Sequence, residues 1–229
     1  MLDNLNILLG VTGGIAAYKA ADLASKLTSA GASVNTVMTE SACRLIGPKS
    51  FEAVTQSAVF TSLWDLDARF NLRAPASWKG AGRESSIEHR ASRIENPVGH
   101  IALVEWADIV VVAPATANII GKIANGICDD LLSTTLCACW PLIKSGATLL
   151  APAMNNNMWT NAAVQRNVKA VKEMGFGLIG PVKGRLACGT EAIGRMAEPQ
   201  DILKAIEKIA SKVKRGKHKA TQTGGETAG

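Results

Sequence analysis

Apolar positions in this chain fall into two repeating patterns. Short solid runs occur at Leu5–Leu9 (LNILL), at Ile109–Ala115 (IVVVAPA) and from Ala147 to Ala151. Runs of that length, apolar on both faces, predict buried strands of a parallel sheet. Between them, apolar and polar residues alternate at helical spacing. Ile15, Tyr18, Lys19, Asp22, Leu23 and Leu27 share that period, and Gly31 follows as a helix stop. Ser33–Met38 reads as a second strand, so the chain opens as strand, turn, helix, strand, the start of a right-handed crossover.

The same alternation continues. Residues 41–65 read as helical with interruptions, and residues 66–99 as a long loop or insertion of mixed charge with no sustained period. A short helix is predicted from His100, with Ile101, Leu103 (or Val104) and Ala107 inward, then the strand at 109–115 and a helix over IIGKIANGI. Asp129-Asp130 opens another helix as a cap or interface pair, because neighbours on a helix point about 100° apart. Asn161–Met174 is a helix capped by Gly175, Phe176–Ile179 a strand, and Asp201–Lys214 the last helix. Arg185–Pro199 (RLACGTEAIGRMAEP) breaks the pattern: Gly189 and Gly194 predict a shaped loop rather than a strand, with little bulk around Cys188. The fold class that follows is α/β, a doubly wound (Rossmann-like), mostly parallel sheet in one domain over residues 1–210, followed by a basic, disordered tail at 211–229.

Composition narrows the function. Of 229 residues 47% are hydrophobic, enough for a substantial core, yet no run reaches the length of a membrane span, and residues 1–10 lack the features of a secretory signal. The formal charge of +6 is not a surface patch. Residues 211–229 hold five Lys/Arg against one acid and residues 67–95 six against four, which leaves the remainder neutral. With aromatics at only 4%, base stacking is poorly provided for, and nucleic acid is not an expected partner. Five cysteines in a core-forming chain predict reduced thiols and a cytoplasmic protein. Cys137-x-Cys139 lacks zinc-site spacing and reads as buried packing; no metal site is expected.

Candidate chemistry clusters where strands end. Gly10-Val-Thr-Gly-Gly14 presents small residues where the first turn meets a helix N-terminus, an arrangement that suits a phosphate, though a ligand-free βα turn has the same sequence. The glycine spacing is not the dinucleotide fingerprint, and the second strand ends in hydroxyls (Thr39, Ser41) rather than a lone acid, so a mononucleotide fits better than NAD. Thr116, Ala117 and Asn118 follow the 109–115 strand, and Pro152–Trp159 (PAMNNNMW) follows the next; both are ligand loops at carboxyl ends. His100, by pattern alone, is either a cap or packing group or a site residue.

Five motifs in order then give a resemblance: GVTGGIAAYK (Gly10–Lys19), HIxLxxWAD (His100–Asp108), PATAN (Pro114–Asn118) with KIANGICDDLL, PAMNxxMW (Pro152–Trp159) and LACGxxxxGRMAEP (Leu186–Pro199). The chain resembles the flavin-dependent cysteine decarboxylases over residues 5 to 210. That resemblance implies bound FMN, and a trimer or dodecamer with active sites between subunits. It also implies oxidation of a cysteine moiety, loss of CO₂ and formation of an ene-thiol. In the coenzyme A branch, 4′-phosphopantothenoylcysteine is the substrate and the ene-thiol is reduced to 4′-phosphopantetheine. The resemblance assigns Thr12, Gly13, Gly14, Thr39, Ser41, Thr116, Ala117, Asn118 and Ala153 to the cofactor. It assigns His100 to the oxidation as base or positioner, Asn155 to the substrate carboxylate and the intermediate, Met158 to the substrate, and Cys188 to proton donation in the reduction. Arg185 and Arg195 are candidate partners of substrate acid groups. The sequence departs from the family at Glu105, Thr190 and Ala192. The alternatives are a peptidyl-cysteine decarboxylase of a lantibiotic-type pathway, which needs no reducing cysteine, and a non-catalytic flavoprotein regulatory subunit.

Overall fold

The computed structural model describes residues 2–64, 99–185 and 191–223, the side chains of Arg185 and of residues 214–223 excepted. The first crossover forms as the pattern predicts: β1 (Asn6–Val11), α1 (Ala17–Ser29) and β2 (Ser33–Met38). Then come α2 (Glu40–Cys43), α3 (Pro48–Thr55) and β3 (Val59–Phe60). After the undescribed 65–98, which contain nearly all of the predicted insertion, the chain resumes with α4 (Gly99–Trp106) and β4 (Ile109–Ala115). Next are α5 (Ala117–Asn125), α6 (Leu131–Ala138), α7 (Trp140–Lys144) and β5 (Thr148–Pro152). The chain continues through α8 (Asn156–Trp159), α9 (Ala162–Met174), β6 (Gly177–Leu178), β7 (Val182–Arg185), β8 (Glu191–Arg195) and α10 (Pro199–Thr223).

Six strands pair in the order β3-β2-β1-β4-β5-β6, every pair parallel. Strand alternation sends Ile7, Leu9 and Val11 into one apolar layer with Leu23 and Leu27 of α1, Phe51 of α3 and Ile202 of α10. Leu8, Val110 and Val112 face the other layer, with Leu103 of α4, Ile119 of α5, Leu132 of α6 and Val168 of α9. Two covered faces explain why β4 is buried at every position, and they make the fold doubly wound. No described helix is long and apolar enough to cross a membrane.

Three elements differ from the sequence expectation. Val59–Phe60 is a strand, not helix; it adds to the edge at Thr36 and Val37 and is too short to carry a period. The Arg185–Pro199 stretch is not simply a loop: Glu191–Arg195 pairs antiparallel with Val182–Arg185, as a hairpin whose connection, with Cys188, lies outside the described residues. The last helix passes Lys214 and runs to Thr223, through a basic stretch that holds no proline.

Candidate functional site

In a sheet of uniformly parallel strands all carboxyl ends share one edge. Thr12 follows β1, Thr39 follows β2, Thr116 follows β4 and Ala153 follows β5, so four separate stretches of sequence meet there. β1 and β4 are neighbours from which the chain winds in opposite directions. This is the switch point, where loops part to leave a crevice.

Thr12 ties that crevice together. Its buried hydroxyl donates to the Pro114 carbonyl at 2.6 Å and accepts from the Thr116 amide at 3.2 Å, joining the tips of β1 and β4. Thr12→Val removes both bonds while keeping the shape. Unpaired groups of this kind cost roughly 1–3 kcal/mol, so a loss of unfolding free energy of that order is expected, read from a lowered urea midpoint; an unchanged midpoint would show that the hydroxyl is no tie.

The glycine turn fits between its neighbours. A Cβ on Gly13 would lie 2.4 Å from Ser41 Cβ, so the turn presses directly on the first residues after β2. Thr39 caps α2 by accepting from the Ala42 amide at 3.2 Å, and Thr116 caps α5 by accepting from the Ile119 amide at 3.4 Å. α6, α8 and α9 are capped likewise by Asp130, Asn155 and Asn161. α1 has no side-chain cap. The Gly14 and Ala17 amides are used within the turn, at 2.8 Å each, and the Gly13, Ile15 and Ala16 amides bond to no described residue. Donors at the positive end of a helix dipole, beside a glycine that brings the backbone close, are an arrangement that suits an anion.

The β5 loop is held from two sides. The Ala153 amide donates to Ala115 O at 3.1 Å, and the Met154 amide donates to Gly194 O at 2.9 Å. Gly194 has φ +148, and a Cβ there would stand 2.2 Å from Met154 O. Only glycine lets β8 dock so closely, and the docking fastens the hairpin to the loop of Asn155 and Met158. Asn155 Oδ1 accepts from the Asn157 amide at 2.8 Å; Asn155 and Met158 are both exposed.

At the foot of the hairpin, Glu198 accepts two bonds from Lys19 of α1, at 3.0 and 2.9 Å, and pairs with Arg195. The hydrogen bond from Lys19 has the largest effect and holds the Glu198 carboxyl below its ordinary range against burial, with the charges of Lys19 and Arg195 adding to it. Arg195, expected to meet substrate, is thus engaged with a carboxylate of its own chain. This Lys19–Glu198 link carried no signal in the sequence, since 179 positions separate its ends.

His100 lies in the first turn of α4 and is half-buried. The turn after α4 is clipped to the start of β1: Asn6 Nδ2 donates to Trp106 O at 2.9 Å and the Asn6 amide to Asp108 Oδ2 at 3.0 Å. His100 therefore stands about 9 Å back along the helix axis from Trp106. No hydrogen bond joins it to Asn155 or Thr12 among the described residues. The structure brings together the predicted residues of the β1, β2, β4 and β5 tips; His100 is on a separate element. The described residues hold no group of three or more His, Cys, Asp or Glu arranged for a metal.

The order of the strands defines a doubly wound α/β protein with an uncapped helix at the switch point. Residues 1–211 match the Flavoprotein family model; the chain belongs to that family, and a flavin is its cofactor. It is 42% identical over 210 residues to the Coenzyme A biosynthesis bifunctional protein CoaBC of Bacillus subtilis, covering 91% of this chain and 44% of that protein. The chain thus spans less than half the length of this curated relative. Among solved structures it is similar to a PPC decarboxylase mutant complexed with pantothenoylaminoethenethiol, with 32% identity, TM-score 0.69, and coverage of 89% of this chain and 96% of that one. It is also similar to the FMN-dependent cysteine decarboxylase SpaF, with 31% identity, TM-score 0.65, and coverage of 92% and 99%.

Proposed function

We propose that this chain is an FMN-dependent decarboxylase of 4′-phosphopantothenoylcysteine, forming 4′-phosphopantetheine for coenzyme A biosynthesis in the cytoplasm. The observation that carries the reading is the docking of Gly194 on Met154. It couples the LACG hairpin to the PAMNNNMW loop at the edge that holds the anion cradle. Identity to PPC decarboxylase over nearly the whole of that chain supports it, as does the ene-thiol in that complex.

Residues 1–210 form the catalytic unit in this reading. The Gly13, Ile15 and Ala16 amides hold the phosphate of FMN, with Gly14, Thr39, Ser41, Thr116, Ala117, Asn118 and Ala153 around the rest. FMN supplies a two-electron acceptor for the substrate and a donor for the ene-thiol. His100 takes or positions a proton in the first half-reaction. The Asn155 amide holds the substrate carboxylate while Oδ1 keeps its cap, and Met158 packs on the substrate. Cys188 gives its thiol proton to carbon in the second half-reaction. Arg185 is a candidate for the substrate phosphate, with Arg195 steered by Glu198. A trimer or dodecamer with sites between subunits would bring His100 to the other groups.

The test is mass spectrometry of the product after incubation of the FMN-loaded protein with 4′-phosphopantothenoylcysteine. The expected product is 4′-phosphopantetheine. Unchanged substrate, or turnover of a C-terminal peptidyl cysteine alone, would overturn the proposal.

A further inference from the structure

We infer that Glu198 is a positioning residue that couples flavin binding at the β1 turn to the docking of the β7–β8 hairpin, with Lys19 as its contact on one side and Arg195 on the other. The inference rests on the proposed place of the flavin phosphate at that turn, and it is independent of decarboxylation. Glu198 is fixed by its backbone. Its carbonyl accepts from the Asp201 and Ile202 amides at 2.9 and 3.0 Å, which starts α10. Met196 and Ala197, just before it, are buried in the layer of Leu23 and Ile202. The carboxylate is left half-exposed between two cations that come from separate elements.

Lys19 belongs to the beginning of α1. Its amide donates to Ala16 O at 2.9 Å, so it stands one turn from the Ile15 and Ala16 amides. Its side chain is only 12% exposed, and the ammonium donates twice to Glu198, at 3.0 and 2.9 Å. A lysine so nearly buried holds its partner firmly, because the charge left alone would lack most of its water.

On the other side, pairing in the hairpin is irregular. Val182 faces Arg195 and Lys183 faces Ile193, so Gly194 is the extra residue of a bulge. Gly194 turns its carbonyl to the Met154 amide, and Arg195 is aimed back across β7. A Cβ on Gly184 would stand 3.2 Å from Arg195 Cδ and 3.3 Å from its Nη1, so the arginine lies over a strand position kept bare by glycine. Its Nη2 pairs with Glu198. The contacts thus run without a gap from the β1 turn through Lys19, Glu198 and Arg195 to Gly194 and the β5 loop. A phosphate that steadies residues 13–16 also steadies Lys19, and a docked hairpin favours the same placement of α1. Such coupling is reciprocal: the factor that FMN adds to docking is the factor that docking adds to FMN affinity.

Trypsin reports on docking directly. Lys183 is exposed in β7, but the bond after it can be cut only when the strand opens. Lys169 of α9 is as exposed, and its helix is anchored in the other layer by Val168 and Val171, so it serves as the internal control. In the unaltered chain, saturating FMN should slow the cut after Lys183 about tenfold more than the cut after Lys169, the usual effect of one hydrogen bond to a charged group. Glu198→Gln keeps the shape and loses the charge. There FMN should slow both cuts equally, and equilibrium dialysis should find FMN bound about tenfold more weakly. Arg195→Gln breaks the chain on the hairpin side alone and should also equalise the two cuts, which keeps the test open if Glu198→Gln does not fold. Extra protection of Lys183 that survives in both variants, its absence from the unaltered protein, or variants cut faster after Lys169 as well as Lys183 would each overturn the coupling. Ordinary FMN affinity in Gly13→Ala would instead remove the phosphate from this turn, a failure distinct from loss of coupling.

Discussion

His100→Asn is expected to stay yellow and folded while releasing CO₂ from 4′-phosphopantothenoylcysteine about 10²–10⁴-fold more slowly, the usual worth of a positioned general acid or base. Imidazole is the side chain whose ordinary protonation equilibrium lies near neutral pH, so it can both take and return a proton in one cycle. Asparagine keeps a planar polar group of similar size and cannot do so. The site of the change limits the structural cost. His100 is half-buried in the first turn of α4, and the packing of that helix depends on Ala102 and Leu103 behind it. The proposed flavin cradle is made by other elements, so the visible spectrum and the melting temperature should match those of the unaltered protein. A purely structural role would move the melting temperature along with turnover. Undiminished CO₂ release would remove His100 from the chemistry.

What could be read in the sequence depended on how many residues each feature spans. β1, β2, β4 and β5 were legible because five to seven consecutive positions repeat one pattern, and their carboxyl ends then located Thr12, Thr39, Thr116 and Ala153 without coordinates. β3 was not, because two residues cannot show a period. The β7–β8 hairpin was hidden by Gly194, which looked like loop punctuation. Its glycine is needed instead for close docking inside a strand, with φ +148 against Met154. Cys137, exposed on α6, was misplaced because adjacency to the buried Cys139 suggested a shared environment, which a helix denies. The contacts that assemble the site, Thr12 to Pro114 and Lys19 to Glu198, span 102 and 179 positions. Residue types can suggest such contacts only after the fold has brought the strand ends together.

Gly13→Val should give a folded but colourless protein. A Cβ at this position would lie 2.4 Å from Ser41 Cβ and 3.0 Å from the Ser41 carbonyl carbon, and valine adds two methyl groups beyond it. Ser41 cannot yield easily, because α2 is capped by Thr39, whose own amide is bonded to Val11 O at 3.0 Å. The glycine turn is the part that must shift. Thr12 is anchored at the tip of β1, so the displacement falls on the amides of Gly13, Ile15 and Ala16, the donors of the proposed cradle. A hydrogen bond to a charged group contributes about 1.5–3 kcal/mol. Losing two of them should therefore weaken FMN binding by at least about a hundredfold, at 1.4 kcal/mol for each factor of ten. Equilibrium dialysis of the apoprotein with FMN would measure it, with circular dichroism to confirm that the sheet persists. Gly13→Ala carries the same first clash with less bulk and should show the loss if valine prevents folding. At Gly47, where a Cβ would meet nothing within 4 Å, Gly47→Ala should leave flavin binding unchanged. FMN binding of ordinary strength in Gly13→Ala would mean that the cradle lies elsewhere on the carboxyl edge.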